Sequence, residues 1–184
     1  ITSTAGVVVG DAGDDGDAYN ITFGSSTEDT AIAGVLNTTG DNTDTITFNF
    51  QGGKTIATAG IIGAAGGLDA LNVTGTGTKL DAAAAITADA ITIGSGATLE
   101  MNDDVTSDAI SGDGTLDVDT NSSFIGQGTT TNLSVANVTV ADGVTFDIDA
   151  EANTADGTIS SAILLEDDGN DNGGGGTLEL DNAG

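Results

Sequence analysis

The stretch Ala90-Ile91-Thr92-Ile93-Gly94-Ser95-Gly96-Ala97-Thr98-Leu99-Glu100-Met101 decides the fold. It holds two apolar–polar–apolar triplets, Ile91-Thr92-Ile93 and Leu99-Glu100-Met101. Successive side chains of a strand point to opposite faces, so each triplet is a short strand with one buried side. Between them, Gly94-Ser95-Gly96 is turn material, because Gly adopts φ > 0 without a steric penalty.

The same triplet recurs at Ile21-Thr22-Phe23, Ile46-Thr47-Phe48, Leu71-Asn72-Val73, Leu116-Asp117-Val118 and Val138-Thr139-Val140, with weaker members at Ile159 and Leu178-Glu179-Leu180. Taken with Ile91, the first positions are spaced by 25, 25, 20, 25, 22, 21 and 19 residues. A repeat of this length marks a solenoid, propeller or array. Further strands, such as Ile56-Ala57-Thr58-Ala59 and Ser123-Phe124-Ile125, fill the intervals. Two or three short strands plus turns in about 22 residues make one coil of a parallel β-helix (β-solenoid). Eight repeat units predict about eight coils and a rod of roughly 35–40 Å at ~4.8 Å per coil. The alternative all-β reading is an antiparallel β-sandwich with a turn every 8–12 residues. Helix has the least support, since the Ala82–Ala85 run is crowded by Thr and Gly.

Composition agrees. The 184 residues contain five Phe, one Tyr and no Trp, and a narrow solenoid interior is filled by stacked Val, Ile, Leu and Ala. Pro is absent, as near-continuous strand pairing requires, because each Pro would remove a ladder hydrogen bond. The expected organisation is one solenoid domain over residues 1–184, with acidic, turn-rich segments at 10–17 and 166–176.

Charge and missing residue types exclude much chemistry. Twenty-nine acidic side chains face two basic ones, Lys54 and Lys79, for a net charge of −27. Such a chain cannot neutralise a row of phosphates, so nucleic acid is not an expected partner. With no His and no Cys there is no imidazole base, thiolate nucleophile, disulfide or zinc–thiolate site. No apolar run approaches the 18 or more residues of a membrane span, so membrane insertion is not expected. Lys54 and Lys79 lie 25 apart, one local repeat, and are expected to stack on adjacent coils. Enzyme activity is not expected: acidic glycans would be repelled, and no carboxylate pair stands out for neutral ones. An ice-binding Thr ladder is disfavoured because the Thr-x-Thr units do not recur once per coil.

The runs Leu71-Asn72-Val73-Thr74-Gly75-Thr76-Gly77-Thr78-Lys79-Leu80, Ala90–Met101 and Gly112-Asp113-Gly114-Thr115-Leu116-Asp117-Val118 resemble the passenger repeats of autotransporter surface proteins, over roughly residues 44–148. The resemblance implies a right-handed parallel β-helix displayed outside a bacterium as an adhesin or structural surface protein. It carries over no catalytic residues. The chain begins at Ile1, without a basic start and apolar stretch, and is read as a mature or excised product whose targeting segment is gone.

Calcium is the one cofactor with a motif. Asp168-Gly169-Asn170-Asp171-Asn172-Gly173, then Glu179, fits the loop pattern D-x-[DN]-x-[DN]-G-x5-E. Ca²⁺ takes six to eight hard oxygens, which Asp168, Asn170, Asn172 and Glu179 would begin to supply. The flanks, however, are strands where that loop normally joins helices. A second cluster, Asp11, Asp14, Asp15 and Asp17, brings four carboxylates together, and a divalent ion would relieve their repulsion. The alternative for both is a solvated acidic turn. In the expected function the chain is an extracellular or cell-surface structural subunit, self-assembling end to end into a filament or surface layer with calcium as an aid. In the alternative it is an adhesin passenger fragment that binds a host or surface ligand.

Overall fold

A computed structural model of the chain describes residues 2–3, 7–9, 18–38, 45–63, 68–127, 131–149, 157–167, 169 and 174–181. It is an all-β parallel β-solenoid of about six turns, with no helix among the described residues. Among the described residues every strand pairing is parallel.

Each turn contributes to three faces. Face one stacks Ala18–Phe23, Thr45–Phe50, Ala70–Val73, Ala90–Ile93, the first halves of Ala109–Val118 and Asn132–Val140, and Thr158–Ile159. Face two runs through Thr2–Ser3, Thr30–Ile32, Thr55–Thr58, Lys79–Ala82, Thr98–Met101, the second halves of the same two long strands, and Ala162–Leu165. Val7–Val9 pairs with Leu36–Thr38 at the start of face three. Bridges from Leu36 to Ile62 to Ile86 carry that face to Ile86–Thr87, Val105–Thr106, Ser122–Ile125, Thr145–Asp149 and Thr177–Asp181.

Period-two alternation puts every second side chain inside. On face one Phe48, Leu71, Ile91, Ile110 and Leu133 stack in register and are fully buried. All eight residues expected to point inward, Ile46, Phe48, Leu71, Val73, Ile91, Ile93, Leu116 and Val118, are buried. Three of the five Phe rings meet in the first turns, where Phe23 lies edge-on to Phe48 at 5.5 Å and stacks on Phe50 at 5.1 Å.

The expected count of about eight coils is corrected to about six turns. Leu116 stacks on Leu99 of face two, not on Ile91, and Val138 follows it; Leu178 stacks on Phe146 of face three. All three faces use the same alternation, so triplets from different faces look alike in the sequence. A corner inside one strand joins two of those faces without a break. Ala109–Val118 crosses from face one to face two through a register shift between Gly112 and Thr115. Gly112 makes that corner with φ of 118°, where a Cβ would fall 2.2 Å from the Ile93 carbonyl oxygen. Only Gly fits such a bend and approach. The stacking expected of the two lysines is also corrected: Lys79 is in register with Thr55, one residue past Lys54.

Acidic and amide side chains fasten one turn to the next at the corners. Asp29 Oδ1 accepts the Thr55 N–H at 3.0 Å, Asp104 Oδ1 that of Ser123 at 2.8 Å, and Asn121 Oδ1 that of Thr145 at 2.8 Å. These corner N–H groups would otherwise lack a partner, so part of the Asp and Asn excess is structural.

Candidate functional site

The outward side of face two carries an acidic ladder. Successive turns place Ala57, Asp81, Glu100, Asp117 and Thr139 in one row. Neighbouring parallel strands are only about 4.8 Å apart, so the three carboxylates are held against one another by the backbone itself. The fourth, Asp119, follows at the end of its strand. One oxygen from each of Glu100, Asp117 and Asp119 lies within 4.8 Å of the others.

Lys79 answers this charge. Its Nζ forms an ion pair with Glu100, whose residue surface is only 8% exposed. Asn102 Nδ2 donates to Asp81 Oδ1 at 3.1 Å and to Glu100 Oε1 at 3.3 Å. Thr139 Oγ1 donates to Asp117 Oδ1 at 2.5 Å. Burial pushes Glu100 upward, but hydrogen bonds from Lys79 and Asn102 outweigh it and hold the carboxyl below its ordinary value. The bond to Glu100 in turn raises Lys79. Asp81 and Asp119 move the other way: burial raises both, and neighbouring carboxylates, Glu100 for Asp81 and Asp117 for Asp119, raise them further. Three hard-oxygen donors of this kind suit a divalent cation such as Ca²⁺, with water completing its shell. A cation there would compete with the Lys79 ammonium for Glu100.

A second carboxylate row stands at the entrance to face one, where Asp69, Asp89 and Asp108 precede three successive strands. Asp69 Oδ2 accepts the Ile46 N–H at 2.5 Å. Asp89 is raised by burial first and then by Asp69 and Asp108. Among the described residues Asp108 Oδ1 is buried with no hydrogen-bond partner.

Of the residues expected to bind calcium, Asp14, Asp15, Asp17, Asp168, Asn170 and Asn172 lie outside the described residues. Glu179 is exposed on face three, in register with Asp147. The triad on face two was missed, although its signal is present in the sequence. The middle residues of Leu80-Asp81-Ala82, Leu99-Glu100-Met101 and Leu116-Asp117-Val118 are all acidic. Placing Leu116 over Ile91 set Asp117 beside Thr92 and separated it from Glu100.

The two ends of the rod differ from its middle. At the last turn the inward columns are uncovered: Ile159 is 38% exposed, Leu165 44% and Leu180 65%. Their predecessors in the same columns, Leu133, Val140 and Ile148, are buried. Leu164 adds an outward aliphatic, 57% exposed. Near the other end, Val7 and Phe23 of the first turn and Ile32 of the second line a hollow of about 360 Å³, rimmed by Ser25, Glu28 and Asp29.

The chain matches no protein-family model, no curated protein and no solved structure. Its architecture is therefore established by its own strand register.

Proposed function

We propose that the chain is a structural protein, a β-solenoid subunit that assembles end to end on the outside of a cell. The observation that carries this reading is the last turn, where the columns ending in Ile159, Leu165 and Leu180 stay uncovered. Monomeric proteins rarely leave a contiguous apolar patch of this kind without a partner. Open strand edges likewise invite pairing unless capped. A further parallel turn would cover both, and strand addition is an established way to supply one. The outermost strands of face three, Val7–Val9 and Thr177–Asp181, belong to one continuous stack, so a second copy would extend the face already present. The ladder and the absence of a His or Cys group favour a scaffold over a catalyst.

The resemblance to autotransporter passengers suggests a second source for the covering turn, a longer polypeptide of the same repeat. In that case the segment is part of an adhesin stalk. Light scattering on the 184-residue chain separates the two. Self-assembly predicts a mass that grows with protein concentration, and more steeply as salt screens the net charge of −27, because the Debye length falls from ~30 Å at 0.01 M to ~10 Å at 0.1 M. The double substitution Leu165→Glu/Leu180→Glu should hold the chain at its monomer mass of 17.8 kDa. A wild-type chain that is monomeric at every concentration and salt would favour the stalk.

A further inference from the structure

Resting on the self-assembly reading, we infer that the joint is directional: the last turn of one copy seats on the first turn of the next, in the register already used inside the rod. The two ends differ in their apolar surface. Among the described residues no strand stacks on Ile159, Leu165 and Leu180 at one end, while near the other a hollow is lined by Val7 and Phe23 of the first turn and Ile32 of the second. Each belongs to a column that runs the length of the solenoid. From first turn to last, face one runs from Ile21 to Ile159, face two from Ser3 through Ile32 to Leu165, and face three from Val7 to Leu180.

Setting the last turn of one copy against the first of another therefore brings like column to like column on all three faces at once. A head-to-head pairing would meet the same edges antiparallel and break that correspondence. A contact between two different patches of one chain is heterologous, and when its rotation does not close it propagates as an open filament. Both rims are acidic, with Glu28 and Asp29 at one end and Glu166 and Asp167 at the other. Charge therefore opposes the joint, and apolar contact with strand pairing must drive it.

The chain has no cysteine, so introduced ones report the joint without background. Thr22 and Ser160 are exposed and belong to one outward row of face one, at its first and last turns. In the proposed joint they become neighbours about 4.8 Å apart across two copies, inside the Cα range of a disulfide. Under mild oxidation in moderate salt, the Thr22→Cys/Ser160→Cys variant should give a ladder of covalent dimers, trimers and longer species. The two single variants, mixed, should give one heterodimer in excess over either homodimer. A Ser95→Cys/Ser160→Cys variant, with one thiol on an exposed mid-rod turn, should give no ladder. If light scattering shows assembly but the Thr22/Ser160 ladder is missing, or the homodimers dominate, the directional joint is wrong while self-assembly stands. If the chain never leaves the monomer mass, both fall.

Discussion

Asp81 lies in register with Glu100 on adjacent rungs of face two, and the same Asn102 amide donates to both carboxylates. The parallel ladder fixes their separation, so neither can swing away to relieve the repulsion. Lys79, from the rung of Asp81, provides the compensating charge at Glu100. The arrangement sets a stability requirement on one of only two cations in the chain.

Replacing Lys79 by Gln should therefore destabilise the fold. Its side chain is 39% exposed while that of Glu100 is 11% exposed, which places the pair between surface and buried limits. A loss of about 1–2 kcal/mol is expected. Lys54→Gln, which touches no ion pair among those described, should cost less than about 0.5 kcal/mol. Urea denaturation of the two variants measures the difference, and equal effects would remove the special role of Lys79.

The carboxylate rows also predict how stability varies with pH. Asp81, Asp89 and Asp119 are raised above the ordinary value of 3.8. The folded chain therefore takes up their protons before the unfolded chain does, and stability rises as pH falls through the raised values toward 3.8. Glu100 is lowered from 4.5, so its contribution is present above that value and is lost as pH falls through the lowered one. The three raised groups should therefore increase the unfolding free energy as pH falls from neutrality toward 3.8, while the Glu100 contribution is lost only below 4.5. Urea titrations across that range check the sign. Asp81→Asn/Asp89→Asn should flatten the rise, and a wild-type profile that falls steadily from neutrality would contradict the assignment.

The face assignment can be tested through Leu99 and Leu116, which stack in register on face two and are both fully buried. Each Leu→Ala change should cost about 2–5 kcal/mol. Because the two side chains share one column, the double variant should depart from additivity by about 0.5–3 kcal/mol. Additive losses would mean that Leu116 stands on another column.

Much of this was legible before the structure. Alternation in Ile91-Thr92-Ile93 and Leu99-Glu100-Met101 gave the strands, their buried sides and the parallel stacking, because a period-two pattern and a glycine turn are local properties. What the sequence could not convey was which face a triplet occupies. Leu116-Asp117-Val118 has the same pattern as Ile91-Thr92-Ile93, and the corner at Gly112 that moves it to face two interrupts no strand. Neighbours across turns were lost with it, and Glu100, Asp117 and Asp119 are a cluster only through those neighbours.

Fibre diffraction from aligned assemblies of the chain tests the central claim most directly. End-to-end stacking of parallel turns predicts a strong meridional reflection near 4.8 Å, along the filament axis, with rungs continuing across each joint. A 4.8 Å reflection on the equator would mean that rods pack side by side, and concentrated chain that forms no filament in moderate salt would contradict the account altogether.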